Sequence, residues 1–212
     1  MGSRIMHLII ADQVSKKLSI ENKQTFLLGG IAPDAALTRE NKTESHFLEG
    51  SLENGTRRVN YNRFTEKYLS VIQSDYELGY LTHLISDDVW MKEVYFKNNF
   101  KNRVDADPGL LDRWHNDFRK LNGQLIEWFG CGNLENELKN VPIPKNNIIE
   151  IESENLQKFK EEAILDFAYT EDDLKEELEV YTLKQVLDYI DLAIKETIGI
   201  YLSAKRNLEG SK

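Results

Sequence analysis

The chain has 212 residues, with 27 Lys+Arg against 36 Asp+Glu for a formal net charge of −9 and an isoelectric point near 5.1. At this length one domain is the expected arrangement, and 41% hydrophobic with 10% aromatic residues suffices to bury a core. The acidic balance argues against nucleic acid or an anionic membrane surface as a partner, because both are bound through clustered Lys and Arg.

Apolar residues at helical spacing predict a first helix over Ile5–Leu18, followed by a break at Gly29-Gly30-Ile31-Ala32-Pro33-Asp34 and another across Gly50–Gly55. Helices are then expected over Tyr61–Ile72 and Tyr76–Phe100, the second opened by a Ser74/Glu77 capping box. Asp107-Pro108 reads as an N-cap with proline at the first position of a helix that carries Leu110–Trp128. Gly130-Cys131-Gly132 and Val141-Pro142-Ile143-Pro144 are breaks, and Ile148–Ile151 is the one stretch of period-2 alternation. Helices over Leu156–Phe167 and Leu183–Leu202 complete the chain, the latter capped by Thr182 with Gln185. The expectation is an all-α, single multi-helix domain over 1–212: a core segment 1–140, an acidic connection and helix over 141–181, and a C-terminal packing helix over 182–207.

No positively charged segment leads into a long apolar stretch near the start, and there is no run of about 18 apolar residues. A cytoplasmic protein without an integral membrane segment is expected. Asn147–Glu179 holds 12 acids and 3 bases, while the rest of the chain carries 24 of each. The excess charge therefore sits in one segment, read as a solvated helix face and connection.

Candidate chemistry starts at Gly79-Tyr80-Leu81-Thr82-His83-Leu84-Ile85-Ser86-Asp87. His83 and Asp87 are four apart on a helix, so an imidazole and a carboxylate share one face and can grip one cation. By itself the pair is weak evidence and reads rather as a hydrogen-bonded couple at the core edge. His7 lies on the face of Ile10, Ala11 and Val14, as a core histidine or a ligand. Asp34 follows Pro33 in a turn, as a cap or an inward carboxylate, and His46 lies in Ser45-His46-Phe47. Buried together, these residues would form a constellation of the kind metals require. Trp90 reads as core, and Asp88 either orients His83 or faces solvent.

The series His7, Ala32-Pro33-Asp34, Ser45-His46-Phe47 and Gly79–His83 with Asp87 resembles the bacterial zinc-dependent phospholipase C family over roughly Arg4 to Trp128. The resemblance implies an all-α fold and a cluster of up to three zinc ions that hydrolyses a phosphodiester. It also implies that Asp34, His46, His83 and Asp87 hold one zinc, while Asp87 bridges to another held by His7. A third site would need a histidine soon after the bridging aspartate and a His-x-x-x-Glu pair. This chain offers Glu93, and His115 followed by Arg119, with Asp112, Asp117 or Glu127 as compensating carboxylates. On an unbroken helix Glu93 points about 120° from Asp87.

A zinc with an open position brings bound water to a pKa of about 7, so hydroxide can attack phosphorus, with Asp34 or Asp87 as proton acceptor. The expected activity is hydrolysis of a small-molecule or lipid-headgroup phosphoester, with zinc, iron or manganese as candidate ions. The competing expectation is a non-catalytic or regulatory metal-binding helical domain with an incomplete cluster. Adjacent His-Asp, the mark of HD-type phosphohydrolases, does not occur. Ser45-His46 and Thr82-His83 are sequence neighbours whose side chains diverge, Cys131 reads as a turn residue, and Gly29-Gly30 lacks the rest of a phosphate loop.

Overall fold

The computed structural model describes residues 2–69, 74–145 and 148–209. Helix α1 (Arg4–Leu18) starts where the Ser3 side chain accepts the Met6 N–H, and it is buried on all sides from Ile5 to Ala11, as befits a central helix. Helix α2 (Lys23–Gly29) is followed by a 3₁₀ turn at Ala32–Ala35, and α3 (Arg39–Ser45) is capped by Thr38. Phe47, with φ +51°, turns the chain into a two-residue antiparallel hairpin, β1 (Leu48–Glu49) with β2 (Arg58–Val59).

Helix α4 (Tyr61–Phe64) runs into a π-helical turn, Thr65–Leu69. The end of the helix expected over Tyr61–Ile72 lies outside the described residues. Helix α5 (Asp75–Val89) begins with the Ser74 N–H on the Glu77 carboxylate, as the capping box requires. It was expected to continue to Phe100. Instead it widens into a π-helical segment at Trp90–Phe96, and the left-handed Asn99 restarts the chain as α6 (Phe100–Ala106). Asp107 caps the end of α6, so α7 (Leu110–Phe129) begins later than Asp107-Pro108 suggests. Helices α8 (Leu134–Asn140), α9 (Ser153–Leu165) and α10 (Leu183–Glu209) complete an all-α architecture. Thr182 and Gln185 make the full reciprocal cap.

The period-2 stretch Ile148–Ile151 is a turn rather than a strand: Ile148 and Ile151 are buried, and Ile151 N–H donates to the Ile148 carbonyl. Its alternation marks two anchors, not a pleat. The acidic segment, whose first residue Asn147 lies outside the described residues, is largely engaged by the rest of the chain. Arg119 pairs with Asp173 and Glu176, Lys120 with Glu179, and Arg4 with Glu162 and Asp166. The buried Asp117 carboxylate accepts the backbone N–H groups of Glu179, Val180 and Tyr181, fastening this strap to α7. Among the described residues no helix is long and apolar enough to cross a membrane.

Helix α5 packs on α2, α1 and α10, and the closest of these contacts is with α2. There Gly29 and Gly79 meet backbone to backbone: a Cβ on Gly79 would lie 2.0 Å from the Phe26 carbonyl oxygen, and one on Gly29 2.0 Å from that of Tyr76. No side chain fits there. Gly29, read from sequence as a breaker, is instead the last residue of α2, and its lack of a Cβ serves helix packing.

Candidate metal centre

Four segments deliver five polar side chains to one place. Helix α1 supplies His7, the 3₁₀ turn Asp34, the residue after α3 His46, and one face of α5 both His83 and Asp87. Ser45 at the end of α3 donates to the Pro33 carbonyl at 2.9 Å, joining the turn that carries Asp34 to the position of His46. Proline inside the 3₁₀ turn restricts the same backbone.

His46 Nε2 lies 3.3 Å from Asp34 Oδ1 and 3.6 Å from Asp87 Oδ2. His83 Nε2 lies 3.6 Å from Asp87 Oδ2 and 4.0 Å from Asp34 Oδ2. The other Asp87 oxygen, Oδ1, lies 3.6 Å from His7 Nε2. Two overlapping sets could each hold an ion, His7-His83-Asp87 and Asp34-His46-His83. Donors around a tetrahedral zinc at about 2.0–2.2 Å are themselves separated by about 3.3–3.6 Å, so these spacings fit.

The outer ring nitrogens fix the tautomers. His83 Nδ1 faces the Gly30 carbonyl at 2.9 Å and His46 Nδ1 faces the Lys42 carbonyl at 2.9 Å. A carbonyl only accepts, so both Nδ1 atoms carry the proton. Ser86 Oγ gives its own proton to the His83 carbonyl at 2.8 Å and is left to accept from His7 Nδ1 at 3.1 Å. In each case Nε2 is the ring nitrogen turned inward, as in ligating imidazoles. Neither His7 Nε2 nor His83 Nε2 has a hydrogen-bond partner, although both are fully buried. Imidazole nitrogen and carboxylate oxygen at this range from one another are the donor types that zinc and related divalent ions take. The residues present fit a divalent ion.

Electrostatics agrees. Burial pushes His7 well below the usual imidazole value, which keeps it in the neutral form a ligand needs. Burial would raise Asp34 and Asp87, but the positive charge around them outweighs it and holds both carboxyls below the usual carboxylate range.

His115, a candidate ligand on sequence, is not brought to this place. It is exposed on α7, stacked on Trp114 with ring centroids 5.0 Å apart. Glu93 is exposed and paired with Lys97 despite the π-helical segment that contains it, and Arg119 serves the acidic strap. Among the compensating carboxylates, Asp117 is occupied by backbone N–H groups, Glu127 accepts from Tyr169, and Asp112 is exposed. Nor does Asp88 orient His83. It faces the hairpin at Val59 N–H and Lys92, and the Gly30 carbonyl takes the orienting role. Trp90 is fully buried against Tyr181, Tyr189 and Phe118, as expected. Cys131 is buried and its thiol is pushed up to about 11 by burial, so it is unsuited to nucleophilic work at neutral pH.

Gly30, Lys42 and Ser86, which orient the three imidazoles, are the partners that sequence reasoning missed. Two act through backbone carbonyls, which carry no residue signature, and Ser86 stands beside Asp87 in sequence with nothing to mark it. Comparison with protein-family models, curated proteins and solved structures finds no match.

Proposed function

We propose that the chain is a metal-dependent phosphoester hydrolase that resembles zinc-dependent phospholipase C, built on a centre of His7, Asp34, His46, His83 and Asp87. The observation that carries this reading is the set of inward Nε2 atoms within 3.3–4.0 Å of two carboxylates, those of His7 and His83 buried without a hydrogen-bond partner. Asp34, His46, His83 and Asp87 Oδ2 would hold one ion, and Asp87 Oδ1 with His7 would contribute to a second.

Zinc bound there supplies Lewis acidity and a water acidic enough to attack phosphorus at neutral pH. The protein's part is to orient and to receive a proton. Asp34 has the most exposed side chain of the five, at 17%, and would take the proton of an attacking water at a carboxylate oxygen. Nδ1–H bonds to neutral acceptors keep the imidazoles fixed while charge changes at the centre. A small-molecule or lipid-headgroup phosphoester is the proposed substrate class, and the cell interior the proposed location.

One observation favours a second reading, a metal-binding domain without catalysis. Cavities of about 700 and 400 Å³ open beside α4, and neither is lined by any of the five side chains. Metal analysis of protein purified without chelator, together with turnover of bis-p-nitrophenyl phosphate, separates the two. Bound metal with turnover supports the hydrolase, bound metal without turnover the binding domain, and no metal removes both.

A further inference from the structure

The side chains of His7, His83 and Asp87 are 0% exposed, that of His46 6% and that of Asp34 17%, so a phosphoester cannot reach the three innermost groups in this conformation. Some element must move, and the packing singles out one. Helices α1, α2 and α5 are bound to each other through buried apolar faces and the Gly29–Gly79 contact. Helix α9 is different: only Leu156, Lys160 and Ala163 are buried on it, and Lys160 spends its ammonium on the Val141 carbonyl. Irregular chain flanks α9 on both sides, with Pro142 and Pro144 before it and the strap of residues 166–182 after it, helical only at Asp173–Lys175.

Helix α9 nonetheless touches both rims of the centre. It packs on the 3₁₀ turn that presents Asp34. At its other end it meets the start of α1 through Arg4, one turn ahead of His7. The Arg4 guanidinium grips Asp166 with two bonds, Nε to Oδ2 at 2.6 Å and Nη2 to Oδ1 at 2.9 Å, reaches Glu162 at 3.0 Å, and lies 5.2 Å over the Phe159 ring. Beside this clasp the chain passes close over His7: a Cβ on Gly2 would lie 3.3 Å from His7 Nε2.

We infer that α9 is a movable cover over the metal centre, and that the Arg4 clasp on Asp166 and Glu162 is the latch that holds it shut. The inference rests on reading the five side chains as a metal site. A two-pronged guanidinium–carboxylate contact is directional, so opening is a discrete event rather than gradual loosening. Segments held by few apolar contacts and by polar clasps open locally without global unfolding. In this arrangement the latch, not the ligand set, governs how fast solutes enter and ions leave.

Arg4→Glu puts a third carboxylate against Asp166 and Glu162, and Arg4→Glu with Asp166→Arg restores an opposite pair. Two readouts are needed: zinc loss from the loaded protein to excess chelator, and amide hydrogen exchange in the metal-free protein. Arg4→Glu is expected to lose zinc about tenfold faster and to exchange faster across Ser153–Leu165 while α5 stays protected, with both effects reversed in the double variant. Wild-type exchange on α9 in Arg4→Glu would overturn the latch, as would faster exchange spread equally over α1 and α5. A wild-type chain that takes up no zinc removes the metal reading instead, and the exchange data then decide the latch alone.

Discussion

His83 Nδ1 donates to the Gly30 carbonyl at 2.9 Å, and that carbonyl stands where it does because Gly29 and Gly79 let α2 and α5 touch backbone to backbone. A packing contact between two helices thus sets the orientation of the His83 imidazole. Gly79→Ala would push a methyl to within 2.0 Å of the Phe26 carbonyl oxygen. Backbone cannot yield as a flexible side chain can, so a loss of about 3 kcal/mol or more is expected in urea unfolding. Metal binding should fall with it. An unchanged unfolding midpoint would show that the helices can separate at no cost.

Ser86 acts on His7 through a single hydrogen bond, so it tests orientation without removing a ligand. Ser86→Ala leaves His7 Nδ1 without its acceptor and is expected to weaken metal affinity by about 10- to 100-fold. Circular dichroism should remain that of the parent. Affinity measured by competition with a chromophoric chelator checks this, and parental affinity would remove Ser86 from the site.

Stability of the metal-free protein should fall on acidification, beginning below about pH 6.5. The sign follows from His7: its folded pKa lies below its ordinary value, so the unfolded chain binds the proton first and gains as pH drops. Asp34 and Asp87 act in the same direction at lower pH. Their folded values are depressed, so the stabilisation they give is complete above the ordinary carboxylate range and is lost as pH falls through the folded values. Urea unfolding in chelator from pH 7 to 5 should show the decline, and His7→Gln should flatten it.

Cys131 offers a metal-independent check on packing. A thiol buried and raised to about 11 should resist a disulfide reagent at pH 8 in the folded protein and react at once in denaturant. Fast labelling of the native chain would contradict its placement between α7 and α8.

Much of the centre was legible in the sequence because ligand chemistry is specific to residue type. Asp34 and His46 were joined to His83 and Asp87 by the resemblance to the phospholipase C pattern, and the helical i to i+4 relation of His83 and Asp87 is local. His115 was misplaced for the opposite reason: being the last histidine left says nothing about which way α7 faces, and α7 turns His115 to solvent beside Trp114. The long helices were read well from their stripes. Lys23–Gly29, Arg39–Ser45 and Leu134–Asn140 were missed because seven residues show too little periodicity, and the hairpin of Leu48–Glu49 with Arg58–Val59 because two residues show none. The glycine at position 29 signalled a break, and only the tertiary contact with Gly79 reveals its use.

Five converging side chains are proposed to bind a divalent ion. Zinc uptake by chelator-stripped protein, counted by elemental analysis after gel filtration, tests this in the wild type and in His83→Ala and Asp34→Ala. At least one zinc per wild-type chain is expected, and none retained in either variant. Wild-type protein that stays free of metal, or stoichiometric zinc kept by either variant, would contradict it.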